Sequence, residues 1–153
     1  MSNFYGSYIG FGGGGGSTQL AGWYGTIGIT GMGGYYPNRN EMDYITIATQ
    51  ANAIDFGDLT STSGDNAGLS NGPRGVFQLG YAGPPVSNRM DYITIATTGN
   101  AADFGDLHQT RRRLSGASNG TRGIFTGGDT STNNSGNVNK IDYITIAAAG
   151  NAV

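Results

Sequence analysis

The chain contains no cysteine, so disulfide crosslinks and thiolate chemistry are both excluded, and the redox compartment leaves no mark on the composition. Charged residues make up only 12% of the 153 positions, about half the usual fraction. Glu and Lys, both strong helix formers, are almost missing, and no stretch of three turns is amphipathic. No apolar run approaches the length of a membrane span. Residues Met1 to Gly6 show no basic region leading into an apolar core, so no secretory leader is expected. A net charge of −2 without clustered Lys and Arg argues against a nucleic-acid partner. What fills the gap is glycine, 29 residues or roughly two to three times average usage, together with Ser, Thr and Asn. These are residues of turns and strand ends, and the expected fold is all-β.

Internal repetition is the dominant signal. Asp43-Tyr44-Ile45-Thr46-Ile47-Ala48 recurs 48 residues on as Asp91-Tyr92-Ile93-Thr94-Ile95-Ala96, and after 51 more as Asp142-Tyr143-Ile144-Thr145-Ile146-Ala147. Asp55-Phe56-Gly57-Asp58-Leu59 returns as Asp103-Phe104-Gly105-Asp106-Leu107, again 48 residues later. A third phrase, Ser70-Asn71-Gly72-Pro73-Arg74-Gly75-Val76-Phe77, returns at the same spacing as Ser118-Asn119-Gly120-Thr121-Arg122-Gly123-Ile124-Phe125. Three phrases in one order at one period define a structural repeat.

Each phrase reads as a short strand. Tyr-Ile-Thr-Ile is β-branched and aromatic, which suits a pleated surface, and alternation places Tyr and Thr on one face and both Ile on the other. Gly99-Asn100 then forms a turn pair. The expected repeat core comprises Tyr44, Ile45, Ile47, Phe56, Leu59, Tyr92, Ile93, Ile95, Phe104, Leu107, Tyr143, Ile144 and Ile146. Residues 1–33 form a Gly- and aromatic-rich segment expected to supply strands or an interface. The repeat region is expected over 34–153, with units near 34–80, 81–128 and 129–153.

A period near 48 residues with three or four short strands suits a propeller blade. The order resembles that of kelch repeats. Gly33-Gly34 is followed by a loop, the Met42 to Ala48 strand, and Phe56-Gly57-Asp58-Leu59, and Ile124-Phe125-Thr126 closes on Gly127-Gly128. Phe56 and Phe104 stand where kelch blades usually carry Trp, and Gly80-Tyr81-Ala82-Gly83 replaces one Gly-Gly pair. From about Gly33 to Val153 the phrases are similar, almost word for word, to a degenerate kelch-like repeat in structural proteins of tailed bacteriophages, notably those of cyanobacteria. That resemblance implies kelch-like, propeller-type blades of short antiparallel strands. It also implies a virion surface location on the exterior of capsid or tail, other virion proteins as partners, and no catalysis.

The material fits about three blades, too few for a closed propeller. Residues 148–153 stop where the Asp-Phe-Gly-Asp-Leu strand would follow, and Thr26-Ile27-Gly28-Ile29 matches the Thr121 to Ile124 strand two periods on. Homo-oligomerisation is therefore expected, since an open array leaves Ile-rich surface exposed.

Chemistry finds little footing. His108, the single histidine, lacks a recognisable nucleophile partner and is expected on a surface loop. One histidine and no cysteine also exclude the copper sites of kelch-like oxidases. Asp55 and Asp58, repeated as Asp103 and Asp106, could serve calcium as oxygen ligands. Residues that recur in every copy more often cap turns, so no cofactor or metal is expected. Gly12 to Gly16 lacks the Gly-Lys-Ser/Thr ending of a phosphate loop and reads as a linker. Arg111-Arg112-Arg113 reads as a solvated turn. Tyr5, Tyr8, Trp23, Tyr24, Tyr35 and Tyr36 concentrate outside the repeat, as interface anchors or as platforms for sugars. Two functions follow: a non-enzymatic virion component acting by assembly, or a carbohydrate-binding adhesin recognising host surface glycans.

Overall fold

A computed structural model of the chain describes residues 26–31, 39–81, 86–131 and 135–153. Tyr5, Tyr8, Trp23, Tyr24, Tyr35, Tyr36 and the Gly12 to Gly16 run lie outside these residues. Among the described residues there are strands and no helix. The strands are β1 (Ile27–Gly31), β2 (Arg39–Thr46), β3 (Ile54–Ser63), β4 (Ala67–Ser70), β5 (Arg74–Gln78), β6 (Arg89–Thr94), β7 (Ala102–Asp106), β8 (Ser115–Ser118), β9 (Arg122–Thr126) and β10 (Ile141–Thr145).

Three antiparallel sheets form in chain order: β1-β2-β3, β4-β5-β6-β7 and β8-β9-β10. Each is a meander of sequence neighbours, the topology that short loops favour. The sheets repeat in register. Ile29 pairs with Tyr44, Val76 with Tyr92, and Ile124 with Tyr143. A bulge recurs between Met42 and Asp43 and again between Met90 and Asp91. It sits beside the first residue of the Asp-Tyr-Ile-Thr-Ile phrase and re-aims that carboxylate. The sheets span 27–63, 67–106 and 115–145, so they cut the same period at a different point from units near 34–80, 81–128 and 129–153. The Asn-Gly turn lies within the sheet, joining β4 to β5 and β8 to β9. There Asn71 Oδ1 accepts from Arg74 N–H, Asn119 Oδ1 from Arg122 N–H, and Gly72 and Gly120 adopt φ near +90°, where a Cβ is costly.

The sheets pack face to face over two cores. Met42, Phe56 and Leu59 of the first sheet meet Leu79 and Ile93 from the second. Val76, Met90, Phe104 and Leu107 of the second meet Phe125, Ile144, Ile146 and Ala152 from the third. Alternation along β6 lets the middle sheet serve both: Ile93 and Ile95 face the first sheet, Met90 and Tyr92 the third. Edge-to-face aromatic pairs recur, Tyr44 on Phe56 and Tyr92 on Phe104, each with centroids 6.1 Å apart.

Burial departs from the expected core at the two ends of the stack. Ile93 and Ile144 are 3% and 4% exposed, but Ile45 in the same phrase is 43% exposed and Ile47 is 63% exposed. Tyr143 is 42% exposed, whereas Tyr92 packs on the core. The reason is position. Ile45 and Ile47 lie on the outer face of the first sheet and Tyr143 on the outer face of the third, where no described sheet covers them. Met42, Leu79, Met90 and Phe125 are fully buried and complete the core.

Candidate functional site: the sheet junctions and the two outer faces

The residues that repeat are those that join one sheet to the next. After β6 the chain turns through Thr97 to Ala101, and this turn docks on β3 of the preceding sheet. Gly99 N–H donates to the Phe56 carbonyl at 2.7 Å, Ala101 N–H to the Asp58 carbonyl at 2.8 Å, and Asp58 N–H to Asn100 Oδ1 at 3.0 Å. The next junction repeats all three contacts. Gly150 N–H donates to Phe104, Ala152 N–H to Asp106, and Asp106 N–H to Asn151 Oδ1. A turn is thus held on a strand by backbone bonds, as in strand augmentation. The middle glycine of Asp-Phe-Gly-Asp makes room for it. A Cβ on Gly105 would fall 2.5 Å from the Gly150 carbonyl oxygen, and one on Gly57 would meet the Gly99 carbonyl in the same way.

The first residue of the Asp-Tyr-Ile-Thr-Ile phrase anchors the same junction. Asp91, fully buried, accepts from the Thr60 N–H and hydroxyl at 2.8 Å. Burial raises its pKa above the ordinary 3.8, opposed by the two Thr60 hydrogen bonds and by Arg89. Asp142 accepts from the His108 N–H, which stands where Thr60 does, and from Arg111. Asp91 and Asp142 cap N–H groups across sheets rather than within their own turns. Asp55 keeps the local pattern, accepting from Gly57 N–H.

The arginine run is not a solvated turn. Arg111 is fully buried and Arg112 only 2% exposed. Arg111 pairs with Asp142 and donates to the carbonyls of Gly127 and Lys140. Arg112 bonds Asp65 at 3.3 Å, lies 3.8 Å from Asp129 and stacks on the Tyr81 ring. Arg113, more exposed, also reaches Asp65. Charges leave water only when paired and hydrogen-bonded; each of these arginines meets a carboxylate from a distant part of the chain. Hydrogen bonds from Ser131 N–H and hydroxyl and from Gly136 N–H hold the Asp129 carboxyl below its ordinary pKa, aided by Arg112.

A further contact joins the edges. Ser118 hydroxyl donates to the Ser70 carbonyl at 2.5 Å. The Arg74 guanidinium lies 4.3 Å above the Tyr92 ring and donates to the Ile146 carbonyl of the third sheet. Arg122 repeats the stack over Tyr143 at 5.5 Å, on the outer face. Between the first two sheets a cleft of about 280 Å³ is lined by Ile27, Ile29, Leu69, Phe77, Ile93 and Ile95.

His108 is exposed. Among the described residues no three His, Cys, Asp or Glu side chains converge as a metal cluster. No helix among them is long and apolar enough to cross a membrane. The features missed in the sequence are Asn100, Asn151, Gly57 and Gly105 as docking residues. Their signal was present as a shared spacing between two phrases, a Gly-Asn pair and Asp-Phe-Gly-Asp. No protein-family model and no curated protein matches the chain.

Proposed function

We propose that this chain is a structural component of a tailed-phage virion, acting by assembly and display on the exterior of capsid or tail rather than by catalysis. In this reading the three sheets are kelch-like blades in an incomplete array, and the partners are other virion proteins and further copies of the chain. One observation carries it: the recurring residues Asp91 and Asp142, and likewise Asn100 and Asn151, are engaged in joining one sheet to the next. A molecule whose repeated chemistry is consumed in stacking is built to be a scaffold. The phrases Asp-Tyr-Ile-Thr-Ile-Ala and Ser-Asn-Gly-Thr-Arg-Gly-Ile-Phe, similar to those of phage kelch-like repeats, support the location.

The test is a mass-spectrometric inventory of purified particles with copy numbers. A fixed copy number supports the reading, with hundreds indicating the shell and six or twelve the tail. Absence from the particles, with saturable binding of the isolated protein to host polysaccharide, would overturn it in favour of a glycan-binding adhesin.

A further inference from the structure

The two outer faces of the stack are not equivalent, and each is one half of a junction seen twice inside the molecule. The outer face of the first sheet presents Ile45 and Ile47. Their counterparts, Ile93 with Ile95 and Ile144 with Ile146, are the residues each following sheet presses onto the sheet before it. Asp43, counterpart of the junction anchors Asp91 and Asp142, alternates onto the same face. The outer face of the third sheet presents Ile141 at 52% and Tyr143 at 42% exposure. Their counterparts are Met90, which is fully buried, and Tyr92, the residues that receive the following sheet.

The receiving face also carries its polar clamp ready made. At the inner junction Arg74 stacks on Tyr92 and donates to the carbonyl of Ile146. Arg122 stacks on Tyr143 in the same way, and the residue that corresponds to Ile146 in the first sheet is Ile47. The backbone around Ile47 is already set for this role. Its N–H is bound to Thr26 O, as that of Ile146 is to Thr121 O, and the Ile146 carbonyl accepts from Arg74 of the neighbouring sheet.

We propose that the outer face of the first sheet docks on the outer face of the third sheet of a second copy, continuing the internal stacking from chain to chain. The contact is heterologous, so it propagates as a ring or a filament rather than closing as a symmetric pair. This rests on the assembly reading above and adds to it the faces, the order and the residues. Beside the third sheet, Val153 exchanges backbone hydrogen bonds with Tyr143. The copy-to-copy contact uses the isoleucine face and the Arg122 clamp.

The experiment is sedimentation velocity on the full chain over about a hundredfold range of concentration. The wild type is expected to form concentration-dependent oligomers. Ile47→Asp blocks the first face and Ile141→Asp the third; both side chains are exposed, and circular dichroism checks that the fold is kept. Each variant alone is expected to be a monomer, whereas an equimolar mixture gives a heterodimer and nothing larger, because one intact face of each kind remains. Arg122→Glu in place of Ile141→Asp is expected to give the same pattern, with affinity reduced about tenfold or more. A wild type that stays monomeric throughout overturns the proposal. So does an Ile141→Asp variant that dimerises alone, which would mean pairing of like first-sheet faces. Copy number in particles is a separate measurement, so the virion reading stands or falls independently of these outcomes.

Discussion

Replacing Gly57 by alanine attacks the first junction at its narrowest point. Two effects combine there. The residue has φ +137°, in a region where a side chain costs about 1 to 3 kcal/mol. The added Cβ also meets the Gly99 carbonyl, which is backbone and cannot rotate away. The turn must lift, weakening the bonds from Gly99 N–H to Phe56 and from Ala101 N–H to Asp58, each with a net value of about 1 kcal/mol. The sum is about 3 to 5 kcal/mol, or a fall in melting temperature of roughly 6 to 20 °C for a chain of this size. Gly68→Ala is the control. A Cβ there finds its nearest neighbours at 3.5 Å, ordinary contact, so the change is within about 1 kcal/mol and even favours the folded state through chain entropy. Thermal melts followed by far-ultraviolet circular dichroism compare the two. Amide hydrogen exchange adds the local signature, since Gly99 and Ala101 are expected to lose protection before the strands of the second sheet do. If the two variants melt together, close docking of the turn on β3 is not what holds the first two sheets.

Further outcomes follow from the same geometry. Gly105→Ala makes the same clash with Gly150 at φ +134° and loosens the bonds from Gly150 N–H to Phe104 and from Ala152 N–H to Asp106, so a loss of about 3 to 5 kcal/mol is expected by urea titration; a loss under about 1 kcal/mol would show that this turn does not hold the second and third sheets together. Arg111→Met leaves Asp142 buried without its cation and is expected to cost about 3 to 5 kcal/mol. Adding Asp142→Asn restores much of this, because the amide oxygen still accepts from His108 N–H; no recovery would show that the guanidinium bonds to Gly127 and Lys140 dominate. Asp91 has a folded pKa above 3.8, so the folded state holds the proton more tightly and stability falls as pH rises through that raised value. Asp91→Asn keeps an acceptor for Thr60 N–H and removes this term. Its melting temperature relative to wild type is therefore expected to improve from acid toward neutral pH, and a pH-independent difference would refute the assignment. Asp129 works in the opposite sense: its depressed pKa contributes stability that is present above 3.8 and lost as pH falls through the folded value.

How much of this was legible beforehand depends on what kind of information a residue carries. Strand identity and facing are local, and they were readable: β-branched alternation in Tyr-Ile-Thr-Ile places Tyr44 and Tyr92 on one face and Ile93 and Ile95 on the other, as the two cores show. Burial is not local. Ile45, Ile93 and Ile144 share one phrase, yet they are 43%, 3% and 4% exposed, because exposure depends on whether another sheet lies over the phrase. The arginine run failed for the same reason. Three adjacent cations look solvated until Asp65, Asp129 and Asp142 are brought against them, and no local pattern announces partners so far away in sequence. The docking residues occupy a middle ground. Asn100 and Asn151 sit at the same distance beyond Phe56 and Phe104, respectively, to within three residues. A spacing kept between two different phrases, rather than within one, is the mark of a contact between units. The repeat therefore encodes the junction and not the sheet: each copy of Asp-Tyr-Ile-Thr-Ile contributes one half and needs a neighbour for the other. At the ends of the stack the same residues are present with the halves unfilled, and the surplus Ile45, Ile47 and Tyr143 exposure is what a stacking code produces wherever the described stack stops.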